Sequence, residues 1–145
     1  MKKNNIIKCA LFVTVLAFSF IMMSACVKDE AVSENLWENA LYTEDKTFGE
    51  GEKTIELEVK AEEKSVTFTI NTDENNLEDA LCEHKLIEGE EGPYGLYVKK
   101  VNGMVADYDV DQSFWSLCKG DTPLMTGVGN TELNDGDKFQ FIREK

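Results

Sequence analysis

Three aspartates alternate with other residues in the stretch DYDVD, at Asp107, Asp109 and Asp111. Carboxylates at alternate positions open the calcium loop of EF-hand proteins. As an EF-hand, however, this loop would have Gln112 where the turn needs glycine and Cys118 where a bidentate glutamate closes the site. The aspartates therefore predict either a looser oxygen site for Ca²⁺ or another divalent cation, or an ordinary acidic turn. Nearby glutamates would complete a looser site: Glu88, Glu90 or Glu91.

Cys82 and Cys118 are the two cysteines downstream of Cys26, a residue at the N-terminus that is considered below. Outside the cytoplasm such a pair is often oxidised, and a helix packed on a sheet can bring two cysteines close enough for a disulfide. The sequence leaves a Cys82–Cys118 disulfide and two buried free thiols equally open. A zinc site that adds His84 is disfavoured, because residues two apart on a helix point in different directions and no fourth ligand is evident.

No pattern typical of a catalytic site occurs in the chain. His84 is its only histidine, and it lies in no recognisable Ser-His-Asp or Cys-His-Asn setting. The glycines fall in predicted hairpin turns rather than in a P-loop or a dinucleotide-binding fingerprint. We therefore do not expect an enzyme.

The N-terminus has the order of a secretory signal: a basic start, MKKNNIIK, an apolar run of about 15 residues, and small residues before Cys26. The run is short for a membrane-spanning helix, which needs about 20 apolar residues. The end of the run, MSAC, resembles the bacterial lipobox, with Met23 where leucine is preferred. The resemblance implies that Cys26 receives diacylglycerol and becomes the first residue of an extracytoplasmic lipoprotein anchored to the cell membrane.

The chain is strongly acidic, with a formal net charge of −13 over 145 residues. A surface this negative repels nucleic acid and anionic membranes and attracts cations or basic partners. Nucleic-acid binding is therefore excluded. The hydrophobic content of 42% indicates one folded domain of modest size rather than a disordered chain.

The pattern of apolar residues predicts an α+β domain. KTIELEVKA and KSVTFTIN alternate as half-buried strands joined by a short connector, and LEDALCEHKLI has the spacing of an amphipathic helix. LYVKKV, SFWSLCK and KFQFIRE read as further strands, with Asn-Gly and Asp-Gly turns. We expect a single helix packed on an antiparallel-rich, β-grasp-like sheet. The predicted organisation is a signal peptide at 1–25, an anchor and tether with a short helical segment at 26–50, and the domain at 51–145.

The carboxy-terminal half contains the residues of a family resemblance. YGLYVKKVNGMVADYD and FWSLCKGDTPLMTGVGNTELNDGDKFQF together resemble the carboxy-terminal domain of transcobalamin and intrinsic factor, and the bacterial family of unknown function that shares this domain. The resemblance covers about residues 66 to 142. It implies a small β-rich domain that closes over a cobalamin held mainly by a helical domain, and no such helical domain is present in this sequence.

The same resemblance implies a ligand-contacting strand. The matching positions are Phe114, Trp115, Leu117 and Leu124, although aromatics that alternate along a strand also commonly form a core. A shared fold does not determine function. Three functions follow as hypotheses for a membrane-tethered, non-catalytic protein: capture or presentation of a corrinoid-type small molecule, binding of a calcium-like cation, and interaction with a partner in a larger surface assembly through the sheet edge or the acidic face. The expected partners are the small molecule or cation and a protein that completes the site.

Overall fold

The computed structural model describes residues 35–145, which belong to one compact unit. Signal-peptide and lipidation predictions, including Cys26, lie outside the described residues. The elements in chain order are a 3₁₀-helix at Leu36–Asn39, β1 at Lys46–Phe48, β2 at Lys53–Ala61, β3 at Lys64–Thr72, α1 at Leu77–Glu83, β4 at Ile87–Gly92, β5 at Gly95–Val101, β6 at Met104–Val105, α2 at Tyr108–Asp111, β7 at Phe114–Lys119, β8 at Thr122–Pro123, a second 3₁₀-helix at Val128–Asn130 and β9 at Lys138–Glu144.

The strands form two sheets. The larger has six strands in the order β1-β3-β2-β9-β7-β8, and the smaller has three in the order β4-β5-β6. β2 and β3 form the expected antiparallel hairpin, with Val59 opposite Val66, while β2 also pairs in parallel with β9 and β1 in parallel with β3. The β2–β9 pair places two strands that are distant in sequence side by side in the centre of the sheet, whereas β1 lies at its edge.

The core lies on one face of the six-stranded sheet. Alternate residues of β2, β3 and β9 are buried, as the period-two pattern predicts for strands with one solvated face. Asn76 caps the N-terminus of α1, and its side chain accepts a hydrogen bond from the Asp79 N–H at 2.9 Å. The helix contributes Leu77, Ala80 and Leu81 to the same core.

The described residues form mostly strands with a few short helices, which agrees with the predicted α+β class. The single-sheet arrangement was wrong, because residues 88–92, which lie outside every element predicted from the sequence, belong to β4 of a second sheet. The domain also begins earlier than residue 51. β1 pairs with β3, and Leu36 and Trp37 are buried in the core, so residues assigned to the tether belong to the fold.

Candidate functional site

A cleft of about 390 Å³ lies between β5 of the smaller sheet and β7 of the larger. β7 contributes Phe114, Trp115 and Leu117, and Leu124 follows directly after β8. The structure thus places all four residues of the expected contact strand along one cleft. The opposite wall is formed by three residues of β5: Leu96, Tyr97 and Val98.

The four residues differ in how much of their surface reaches the cleft. Trp115 is 8% exposed, its indole N–H donates to the Met104 carbonyl at 3.3 Å, and its ring packs edge-on against Phe141. Trp115 and Leu117 are therefore mainly core residues that support the cleft from below. Phe114 and Leu124 are more accessible, and they offer apolar surface to a ligand.

Sequence reasoning missed three large side chains beside this cleft. Tyr94 is 89% exposed and Met125 is 99% exposed, and Tyr97 is also exposed. Each lies close to turn residues, in GPYGLY and TPLMTG, where periodicity carries no information about burial. Exposed apolar side chains gathered in one place are a signal of a binding surface. We call the five residues Tyr94, Tyr97, Phe114, Leu124 and Met125 the aromatic face.

A second, smaller cleft continues the aromatic face toward the tip of the β4–β5 hairpin. Its volume is about 370 Å³, and Pro93 and Tyr94 line it. It shares Leu96, Tyr97 and Gly127 with the first cleft, so the two adjoin. Both volumes fall at the lower end of the range of roughly 300–1,000 Å³ seen for small-molecule sites.

A larger cleft of about 600 Å³ lies elsewhere, beside the first 3₁₀-helix and β6. Its charged side chains bind one another. The Lys100 ammonium lies 2.8 Å from the Glu88 carboxylate, and the Arg143 guanidinium lies 2.8 Å from the Asp111 carboxylate. This pairing leaves little free charge for a ligand in that cleft.

The three aspartates lie in and just before the single turn α2 rather than in a ligand-binding loop. The Asp107 carboxylate caps this turn by accepting from the Asp109 N–H at 3.0 Å. The Asp111 carboxylate accepts from the Ser113 side chain and from Arg143. The Ser113 hydroxyl, with Arg143 beside it, lowers the pKa of Asp111 from 3.8 to about 2, although partial burial opposes the shift.

The expected cation site at these aspartates is therefore not formed. Within residues 35–145, no group of three or more His, Cys, Asp or Glu side chains is placed to hold a metal ion. Glu88 and Glu90, which we expected to complete the site, instead pair with Lys100 and Lys99. The described residues form the other expected alternative, an acidic turn, and this helical turn separates side chains that a loop could bring together.

The Cys82–Cys118 disulfide is also not formed, since both thiols are free. Leu117 belongs to the same core as Leu81 of α1. Successive side chains of a strand alternate between its faces, so Cys118 points away from the helix that carries Cys82. Cys82 is exposed, which also departs from the alternative of two buried thiols.

His84 packs against an aromatic ring rather than against a thiol. Its imidazole stacks on Phe48 with ring centroids 5.2 Å apart, and its buried Nε2 has no hydrogen-bond partner among the described residues. This arrangement gives no support to a zinc site. In the same described part of the chain, no helix is both long and apolar enough to cross a membrane.

The fold of the described residues is similar to that of part of haptocorrin. Haptocorrin, solved in complex with Cbi, matches with 22% identity and a TM-score of 0.50, over 68% of this chain and 26% of haptocorrin. This likeness shows the fold alone, and it confirms the transcobalamin-like fold expected from the residues. The chain spans about a quarter of haptocorrin's length.

A second solved structure shows the family. The chain is 32% identical to a Ruminococcus gnavus ATCC 29149 protein, with a TM-score of 0.62 over 65% of this chain and 98% of that protein. The chain belongs to the same family as this protein, whose structure is described as that of a "putative metal binding protein". No protein-family model and no curated protein matches the chain.

Proposed function

We propose that the protein is a non-catalytic, lipid-anchored extracytoplasmic module that binds a corrinoid-type small molecule on its aromatic face. The observation that carries the proposal is the aromatic face itself, where exposed Tyr94, Tyr97 and Met125 surround a cleft lined by the expected contact residues. The β2–β3 hairpin followed by α1, with β9 parallel to β2, supports the β-grasp-like topology that we propose alongside this function.

The chemistry of the cleft favours a ligand with a broad apolar surface. Of the described residues that line it, none is charged. Selectivity would then come from shape, from contacts with aromatic rings, and from the phenol groups of Tyr94 and Tyr97, which can donate and accept hydrogen bonds at the rim. A corrin macrocycle is a ligand of this kind.

The cleft is open to one side, as expected for part of a larger site. Haptocorrin in complex with Cbi is about four times as long as the part of it that this chain matches. By analogy, we propose that a separate protein partner covers the ligand on the aromatic face. Binding by this domain alone would then be weak.

The proposal is tested by calorimetric titration of the purified protein with cobalamin. We expect Phe114→Ala to weaken binding about tenfold, because losing the contact of one partly exposed ring costs about 1.4 kcal/mol. The control is Val110→Ala, which removes an exposed apolar side chain from the other cleft. Absence of any heat of binding, or an equal loss with Val110→Ala, would contradict the proposal.

Cation binding is the second candidate, and the description of the Ruminococcus gnavus relative favours it. Because no three-residue ligand cluster exists within residues 35–145, a cation would have to recruit backbone carbonyls and water. Calorimetric titration with calcium after EDTA treatment tests this candidate: cation binding would give heat. Loss of that heat in Asp109→Asn would show that α2 takes part in the site.

A further inference from the structure

β4 is an exposed strand at the edge of the smaller sheet. It pairs only with β5, and its residues 88–92 are all exposed. Their backbone groups make no hydrogen bond outside the strand pairing to any of residues 35–145. One side of this strand therefore presents free N–H and C=O groups, which an extended chain can pair with.

The other sheet edges offer fewer free backbone groups for strand pairing. β1 has three residues and β8 has two. On β6, the carbonyls of Met104 and Val105 already accept hydrogen bonds from the Trp115 indole and the Arg143 guanidinium. Within the described part of the chain, β4 is thus the longest strand edge open to a partner.

The charge beside β4 is negative and only partly neutralised. Glu88 and Glu90 pair across the hairpin with Lys100 and Lys99, at 2.8 Å and 3.1 Å. Glu91 forms no ion pair with any of residues 35–145. Its carboxylate lies close enough to α1 for the charges of Glu91 and Asp79 to add to the effect of burial in raising the pKa of Glu78.

We propose that β4 binds an extended protein segment rich in lysine or arginine, which adds as a fourth strand to the smaller sheet. The backbone groups of β4 would supply the hydrogen bonds, as in other cases of strand addition. The basic side chains would lie beside Glu91 and Glu78, where negative charge lacks a partner. This inference does not depend on the aromatic face or its ligand.

The test uses NMR of the full-length protein in detergent, with a short peptide of alternating lysine and threonine as the probe. We expect the peptide to slow hydrogen exchange at alternate amides of residues 88–92, because every second amide of the strand faces its edge. The matched probe is the same peptide with an N-methyl group on every backbone amide, so that neither of its edges can donate a hydrogen bond. It keeps its charge but cannot pair, so it should leave those amides unprotected.

Glu91→Lys tests the charge contribution. We expect it to weaken peptide binding about fivefold, the size of an exposed charge interaction near 1 kcal/mol. Glu63→Lys, an equal charge change on the β2–β3 turn, should have a smaller effect. Equal binding of the two peptides, no protection in β4, or equal losses with both variants would overturn the proposal.

Discussion

The chemistry available to Asp111 is set by its neighbours rather than by the aspartates beside it in sequence. Its carboxylate accepts from Ser113 and pairs with Arg143 of β9, which also donates to the Val105 carbonyl. These contacts connect α2, β6 and β9. A residue that the sequence suggested as a metal ligand therefore stabilises the fold, through an ion pair with the Arg143 guanidinium.

This network predicts how stability depends on pH. The pKa of Asp111 is lower in the folded protein, about 2, than its ordinary value of 3.8. Its contribution to stability is therefore present above about pH 4 and is lost as the pH falls toward 2. We expect Asp111→Asn to lower the midpoint of urea unfolding at pH 6. We also expect the midpoint of this variant to fall less than that of the wild type as the pH drops below 4.

The control for this prediction is Asp109→Asn, two residues away, where the side chain accepts no hydrogen bond from residues 35–145. Urea unfolding followed by circular dichroism across pH 2 to 6 measures both variants. If Asp111→Asn left the decline of the urea midpoint below pH 4 unchanged, or if Asp109→Asn changed it as much, other groups would determine the loss of stability in acid.

At the scale of elements, the β5–β6 turn also holds the N-terminal strap of the domain, residues 36–42. Asn102 and Gly103 both have positive φ, at 50° and 79°, as a two-residue hairpin turn requires. Asn102 is fully buried, and its side chain accepts from the Tyr42 N–H at 3.0 Å and donates to the Tyr42 carbonyl at 2.8 Å. One turn thus joins two strands and fixes the strap.

Gly103→Ala should therefore destabilise the domain more than Gly136→Ala. Both glycines have positive φ, which costs an alanine about 1 kcal/mol. A Cβ at Gly103 would also lie 2.4 Å from the Asn39 carbonyl oxygen, whereas nothing lies within 4 Å of one at Gly136. We expect the midpoint of thermal unfolding to fall by several degrees more for Gly103→Ala. Equal midpoints would show that the strap moves aside at little cost.

The elements that could be predicted from sequence are those with one buried face. β2, β3 and α1 follow from the period of their apolar residues and from the Asn76 cap. β4 could not be predicted this way, because pairing with β5 rather than burial makes it a strand. α2 could not be predicted either, because the alternating aspartates give no helical period and the Asp107 cap stabilises the turn. The contact strand was predicted by resemblance, but Tyr94 and Met125 occupy turns, where no pattern indicates exposure.

At the scale of the whole molecule, both proposed binding surfaces involve the β4–β5 hairpin. The aromatic face uses Tyr94 at its tip and Tyr97 on β5, while the proposed peptide site uses the outer edge of β4. A partner strand added to β4 would extend the sheet that forms one wall of the ligand cleft. The two proposals are therefore compatible, with a partner bound at the edge and a ligand on the adjoining face.

At the scale of the whole chain, we propose that lipidation of Cys26 attaches the protein to the membrane, where the module would meet its ligand. Two acyl chains on one cysteine suffice for stable anchoring. In a bacterial host fed radiolabelled palmitate, we expect the wild-type protein to be labelled and to sediment with membranes, and Cys26→Ser to lose both properties. Cys9→Ser is the matched control, because Cys9 lies within the predicted leader and should have no effect. Label that persists in Cys26→Ser, or disappears in Cys9→Ser, would place the modification elsewhere.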